Sequence, residues 1–82
     1  MKDRRLGKFD IDCYIIEHQP EIALAVLKDC IVLRAECAIW KDAFEYVAIN
    51  RYFDEIPVGE EPRRYTVDVS GNNPYTVEWR HK

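Results

Sequence analysis

The fold class turns on residues 30–53, which read CIVLRAECAIWKDAFEYVAINRYF. With a period of two, Ile31, Leu33 and Ala35 line one face, as the side chains of a half-buried strand do. Arg34 and Glu36 then point to the opposite face. With helical spacing, positions 26, 30, 33, 37, 40, 44 and 47 also form one apolar stripe. The same letters therefore fit two structures.

Length and side-chain type separate these two interpretations. A single helix over residues 20–53 would be about three times the mean helix length. A chain of 82 residues has too little remaining sequence to cover such a helix. β-Branched residues are frequent in the stretch and favour a pleated strand over a helix. We therefore predict strands, with a turn at Lys41 and Asp42.

The last third of the sequence predicts a β-hairpin. Tyr65, Val67 and Val69 alternate with polar residues, and positions 75, 77 and 79 repeat the pattern with Tyr, Val and Trp. This alternation of β-branched and aromatic residues is typical of half-buried strands. Residues 70–74, SGNNP, lie between the two runs and have the composition of a turn.

The first third predicts a short helix. Pro20 and Glu21 suit the first turn, and the Ala and Leu residues that follow propagate a helix to residue 28. Residues 56–62 carry two prolines and a glycine, which indicates a loop. Residues 8–18 fit an edge strand, or a short helix capped by Asp10. Residues 1–8 are expected to be a flexible basic arm.

Together these elements predict a single α+β domain over residues 1–82. A short N-terminal helix packs on a small antiparallel β-sheet of three to five strands that ends in the C-terminal hairpin. The alternative is a long helix, or a helix pair, plus that hairpin. A domain this small that is 48% hydrophobic is expected to self-associate as a homodimer.

Composition restricts the cellular compartment and the class of partner that we expect. The three cysteines cannot all pair within one chain, so we expect buried free thiols and a cytoplasmic protein. No apolar run has the length of a signal or a membrane span. Residues 10–62 hold twelve acidic and four basic side chains, which disfavours duplex nucleic acid and suits a basic protein partner.

The reactive side chains match no pattern for catalysis or cofactor binding. Cys13, His18, Cys30 and Cys37 lack the closely spaced pairs of a structural zinc site. Acidic neighbours oppose thiolate formation at Cys13, and the single serine lies in the hairpin turn. No glycine-rich loop precedes a helix. We expect no catalytic residues, no metal and no cofactor.

Three short runs carry a resemblance to a group of known proteins. Residues 34–36, 45–49 and 53–57, ending at Gly59, are similar to small orphan proteins of tailed bacteriophages. The resemblance covers roughly residues 19–69 and brings no catalytic residue with it. It implies a cytoplasmic viral protein that acts in an infected bacterium on a host or defence protein.

These observations predict a non-enzymatic protein-protein interaction or regulatory module that acts through its surface. The alternatives are a nucleic-acid-binding accessory protein and a small-molecule-binding dimer with its site at the subunit interface. Exposed aromatic and arginine side chains often anchor protein interfaces, and they are placed here beside an acidic loop. The candidate interaction surface comprises Trp40, Tyr52, Asp54, Glu55, Glu60, Glu61, Arg63, Arg64, Tyr75, Trp79 and Arg80.

Overall fold

The structure of this chain is a computed structural model, and it describes residues 3–72 and 74–81. Within these residues the chain forms five strands, two short helices and one 3-10 turn. In chain order they are β1 (Leu6–Asp12), α1 (Cys13–His18), α2 (Pro20–Leu27), β2 (Cys30–Ala38), the 3-10 turn (Ile39–Lys41), β3 (Ala43–Asn50), β4 (Arg63–Gly71) and β5 (Tyr75–His81).

The five strands form one sheet in the order β2-β3-β1-β4-β5. Three of the four neighbouring pairs are antiparallel, and β1 with β4 is parallel. The helix-on-sheet α+β architecture is confirmed, and β4 and β5 form the C-terminal hairpin. The expectation of a purely antiparallel sheet is wrong, because the sheet is mixed.

The path of residues 51–62 explains the parallel pair. Because β3 runs antiparallel to β1, it ends beside the start of β1. The chain then passes beneath that start, where Asn50 N donates to Arg5 O (3.1 Å) and Ile56 N donates to Arg4 O (3.0 Å). β4 therefore begins at the same end of the sheet as β1, on its other side, and runs in the same direction.

The N-terminal strand lies in the middle of the sheet. Phe9 and Ile11 are buried on the face that the helices cover, and Leu6 is buried on the other. The predicted edge strand is therefore wrong: β1 is central, and the chain turns into α1 at Cys13. The last three residues of the predicted basic arm, from Leu6 to Lys8, belong to β1 because Leu6 and Gly7 are buried there.

The middle of the chain forms strands, so the long-helix alternative is excluded. β2 and β3 pair as antiparallel neighbours, joined by the 3-10 turn and Asp42. Asp42 has a positive φ of 51°, a conformation that Asp tolerates better than most side chains. The predicted turn at Lys41 and Asp42 is confirmed.

The helix predicted from Pro20 is confirmed as α2. Pro20 occupies its first turn, and Ala23 and Val26 are its buried residues. They pack on Phe9 and Ile11 of β1. We call the side of the sheet under the helices the helix face and the other side the open face.

An aromatic cluster forms the centre of the core on the helix face. The Phe9 ring stacks on Tyr46 and meets Trp79 edge-on, with centroids 5.4 and 4.9 Å apart. The Phe53 ring stacks on Tyr65 at 4.3 Å. Aromatic pairs at such distances stabilise a fold beyond the apolar area they bury.

At Gly7 the backbone of β1 lies directly against the rings of this cluster. A Cβ atom at Gly7 would lie 2.7 Å from two Phe53 ring atoms and 2.8 Å from the Tyr65 ring. Gly7→Ala is therefore expected to lower the free energy of unfolding by about 1–3 kcal/mol through overpacking. Chemical denaturation of both proteins measures this loss.

A second pair of proteins provides the control. In a Phe53→Leu background the ring that crowds position 7 is replaced by a smaller aliphatic side chain, so Gly7→Ala is expected to cost less stability than in the wild type. Equal costs in both backgrounds would contradict the proposed contact.

Candidate protein interface

β2 is an edge strand and has the largest share of exposed residues among the strands of the sheet. β2 is the first strand in the sheet order, so β3 pairs with one of its sides and no other described strand pairs with the second. Positions 31–37 of this strand are all exposed. An edge strand of this kind presents unpaired N–H and C=O groups to which another chain can add.

The side chains of this strand are unusually apolar for an exposed segment. Ile31, Val32 and Leu33 are 64%, 42% and 43% exposed. Directly after the strand, Ile39 and Trp40 are 82% and 80% exposed. Contiguous apolar surface of this kind marks interaction sites more often than isolated exposed residues do.

Two opposite charges lie at the centre of β2. The Arg34 Nε and Glu36 Oε1 atoms are 3.2 Å apart, and both side chains are exposed. Arg34 pairs with Val47 of β3, and Glu36 pairs with Glu45. Because both partners lie on the open face, Arg34 and Glu36 lie on that face too. A register shift between Val32 and Arg34 makes Leu33 a bulge, and pairing is one-to-one from Arg34 to Ala38.

The other edge of the sheet is protected. In β5, the side chains of Val77 and Trp79 are half-buried rather than exposed. Trp79 packs against Phe9 and Phe53, with centroids 4.9 Å from each ring. The apolar side chains of β5 thus belong to the core, whereas those of β2 between Ile31 and Cys37 do not.

Sequence reasoning missed this strand as an interface. The alternation at Ile31, Leu33 and Ala35 was interpreted as the buried face of a strand, but these residues are exposed. The bulge at Leu33 also breaks the alternation, since Ile31 pairs with Ile49 on the open face and Ala35 pairs with Tyr46 on the helix face. Alternation, moreover, does not show whether anything covers a face. The order of the strands in the sheet supplies this information, and the sequence carries no local signal of it.

The eleven residues predicted as an interaction surface are divided among several places. Tyr52, Tyr75 and Trp79 come together and line a groove of about 350 Å³ beside the end of α2. Arg51 places its guanidinium over the Tyr52 ring, 5.1 Å from the centroid. Trp40 follows β2 and is not part of this groove.

The predicted arginines lie beside carboxylates of the same chain. Arg63 is 3.7 Å from Asp54, which also contacts His81. Arg80 is 3.2 Å from Asp68. Arg64 contacts Asp10 and Glu45 on the open face. The loop carboxylates Glu55, Glu60 and Glu61 are exposed.

Four charged side chains form an ionic cluster on the open face: Asp10, Lys41, Glu45 and Arg64. Lys41 Nζ donates to Glu45 Oε2 at 2.8 Å. This hydrogen bond is the main reason that the pKa of Glu45 lies below its ordinary value and that of Lys41 above. The cluster ties the 3-10 turn to β1, β3 and β4.

The cysteines are placed differently from the prediction. Cys13 and Cys30 are half-buried, and Cys37 is exposed on β2, so the expectation of three buried thiols is wrong. Desolvation, followed by the charge of Asp42, raises the pKa of Cys13. Burial also raises the pKa of Cys30, against a hydrogen bond from Asn50. Both thiols are protonated at neutral pH, which makes them weak nucleophiles.

The lowered pKa of Glu45 links the ionic cluster to acid stability. A carboxylate with a lower pKa in the folded chain stabilises the fold above its unfolded pKa and loses that effect as pH falls through its folded pKa. Glu45→Gln is therefore expected to reduce the free energy of unfolding at pH 7 but not at about pH 2. Denaturation at the two pH values measures the difference.

Glu78→Gln is the matched control for this measurement. The Glu78 carboxylate is exposed on β5 and lies 3.9 Å from Arg80. Exposed pairs of this kind contribute little, so the control is expected to change stability only slightly at both pH values. A loss for Glu45→Gln that is the same at pH 7 and at about pH 2 would contradict the link to ionisation.

Three further properties of this chain concern metal ligands, membrane-spanning helices and similarity to known proteins. Among residues 3–72 and 74–81, no three His, Cys, Asp or Glu side chains are grouped as metal ligands. In the same residues neither helix has the length and apolar content needed to cross a bilayer. The chain matches no protein-family model, no curated protein and no solved structure.

Proposed function

We propose that this chain is a non-enzymatic protein-interaction module whose binding element is the outer edge of β2. The observation that carries the proposal is the exposure of seven consecutive positions on an edge strand, 31–37. A polypeptide that adds to this edge gains main-chain hydrogen bonds from the strand and apolar contacts from alternate side chains.

The exposed residues that follow β2 enlarge this binding element. Ile39 and Trp40 continue directly from the strand and are its most exposed apolar neighbours. Tryptophan in a protein interface supplies a large contact area at low entropic cost. A bound strand that runs the length of β2 therefore meets a tryptophan at one end.

The biological role that fits this surface is regulatory. A chain with an exposed pairing edge can act by occupying a partner, which needs no catalytic group. In line with the resemblance to tailed-bacteriophage proteins, we propose a viral modulator that binds a host or defence protein in the cytoplasm. Steric occlusion of the partner is the mechanism that such binding provides.

The surface offers less support for nucleic-acid binding. Phosphate recognition needs cationic side chains that are free to displace counterions. Arg63 lies 3.7 Å from Asp54, and Arg80 lies 3.2 Å from Asp68. Arg64 lies within the ionic cluster. The arginines nearest the hairpin aromatics are thus already neutralised by carboxylates of the chain.

A small-molecule site is the second candidate, and the aromatic groove supports it. The groove of about 350 Å³ lies near the lower end of the range for ligand pockets. Tyr52, Tyr75 and Trp79 supply aromatic walls, and Lys28 and Asp29 supply charge. The groove is lined by β5 on one side and by the end of α2 and the turn into β2 on the other.

A capture experiment tests the main proposal. The tagged full-length chain is immobilised and exposed to lysate of cells in which it naturally occurs, supplemented with an untagged copy of the chain. We expect it to retain at least one protein, and the variant Val32→Lys/Leu33→Lys to lose that protein, because the added charges occupy the apolar pairing edge. Both residues are exposed, so folding is expected to be unaffected.

The control places the same charges on the other edge. Thr76→Lys/Glu78→Lys changes two exposed positions of β5 and is expected to retain the same protein as the wild type. Retention by the β2 variant that equals the wild type would contradict the proposal, as would capture of no protein at all.

A further inference from the structure

We propose that the occupant of the β2 edge is a second copy of this chain, paired antiparallel about a two-fold axis at Ala35. This inference rests on the proposed function, because it takes β2 as the pairing edge; a second copy then competes with a host or defence protein for that edge. Pairing of the two β2 strands joins the sheets of the two copies into one continuous sheet, with the helices of both copies on the same side. The order of charges along β2 selects this arrangement.

Two-fold symmetry restricts the registers that two β2 strands can adopt. In a symmetric antiparallel pair the axis passes between two copies of the same residue, and positions equally far from it face each other. An axis at Arg34 places that guanidinium opposite its own copy. An axis at Glu36 does the same with two carboxylates. Of these three axes, only the one at Ala35 places Arg34 opposite Glu36, and it does so at two symmetry-related positions.

Opposite charges at facing positions of a strand pair stabilise it, and like charges destabilise it. Arg34 and Glu36 lie on the open face and are 3.2 Å apart within one chain. In the symmetric pair each guanidinium then has a carboxylate beside it in its own strand and another across the interface. The four charges alternate in sign.

The symmetry of the charges extends beyond the strand. Every charged residue between positions 28 and 42 has a residue of opposite charge at the mirrored position about Ala35. Of the mirrored residues, only Arg34 and Glu36 lie in the regularly paired part of β2, and the others lie in the turns before and after the strand. The mirrored pairs are Arg34 with Glu36, Asp29 with Lys41, and Lys28 with Asp42.

The same register covers the exposed apolar side chains. Leu33 and Cys37 flank the axis and are both exposed, and the exposed Ile31 and Val32 lie beyond the bulge on the same strand. Ile31 and Ile39 are among the most exposed apolar residues of the chain, and Leu33 is also exposed. Burial of this apolar surface between the two copies contributes to the free energy of association, in addition to the hydrogen bonds between the strand edges.

The backbone at the axis is regular enough to pair. From Arg34 to Ala38 each residue of β2 has one partner in β3, so the three residues at the axis, Arg34 to Glu36, lie in regular strand, and the bulge at Leu33 begins directly beyond them. Ala35 has the smallest side chain of the central three residues, so it allows close approach at the axis. β5, the other edge, offers no equivalent surface because Val77 and Trp79 are half-buried.

Charge reversal tests the register directly. Arg34→Glu places four carboxylates at the centre of the pair, and Glu36→Arg places four guanidiniums there. Each single variant is expected to weaken self-association by about tenfold or more in sedimentation equilibrium. Arg34→Glu combined with Glu36→Arg restores opposite facing charges, so it is expected to return the dissociation constant to near the wild-type value.

Arg80→Glu is the matched control for charge reversal. Arg80 is exposed on β5 and pairs with Asp68 within its own chain, so this change is expected to leave self-association unaltered. Failure of the double variant to recover, with a dimeric wild type, would show a contact through a different surface or register and would overturn the inference.

A cysteine at the axis gives a second, independent readout. With Cys37 replaced by Ser, Ala35→Cys brings two thiols face to face, with Cα atoms about 4.5–5.5 Å apart, which suits a disulfide. Mild oxidation is expected to produce a covalent dimer. Thr76→Cys in the same background is the control at the β5 edge and is expected to form no covalent dimer under the same conditions.

The outcomes separate this inference from the proposed function. A wild-type chain that stays monomeric at about 1 mM overturns self-pairing. If another protein is then captured through β2, the proposed function stands without the inference. If no protein depends on β2 for capture, both fail. Cross-linking at position 76 in preference to position 35 would assign the contact to β5 and overturn the inference.

Discussion

The rings of Phe53 and Tyr65 pack so closely over Gly7 that no side chain fits beneath them. This contact joins three distant parts of the chain: the N-terminal strand, the loop after β3 and the C-terminal hairpin. Trp79 meets the Phe53 ring edge-on and draws β5 into the same cluster. The hydrogen bond from Asp54 N to the Tyr65 hydroxyl (2.8 Å) fixes the loop against β4. The mixed sheet depends on this contact, because it holds the loop beneath β1.

The exposure of β2 follows from where the core lies. The aromatic cluster lies over β1 and its neighbours, and α2 places its buried residues, Ala23 and Val26, against the same cluster. Two short helices have too little surface to cover all five strands. β2 lies on the far side of β3 from the core, so its residues 31–37 face solvent on both faces. The proposed interface is therefore a consequence of a core that is concentrated toward one side of the sheet.

Much of the local structure was predictable. The alternation in residues 65–79, with its central turn, correctly predicted the hairpin, and Pro20 correctly predicted the start of α2. β-Branched content correctly favoured strands over a long helix in residues 30–53. The central position of β1 and its parallel pairing with β4 were not predictable, because they depend on the loop contacts of Ile56 and Arg4. The sequence-predicted aromatics Tyr52, Tyr75 and Trp79 do share a groove, but Trp40 lies apart from it.

The sequence by itself determined α2 and the C-terminal hairpin, since periodicity and turn composition act over a few neighbouring residues. It also determined the order of charges about Ala35, which is a property of the chain before it folds. Only the tertiary structure decided that β2 is an uncovered edge and β1 a buried centre. The physical reason is that burial depends on which strands become neighbours. That choice is made by long-range packing around Gly7, for which no short stretch of sequence carries a signal.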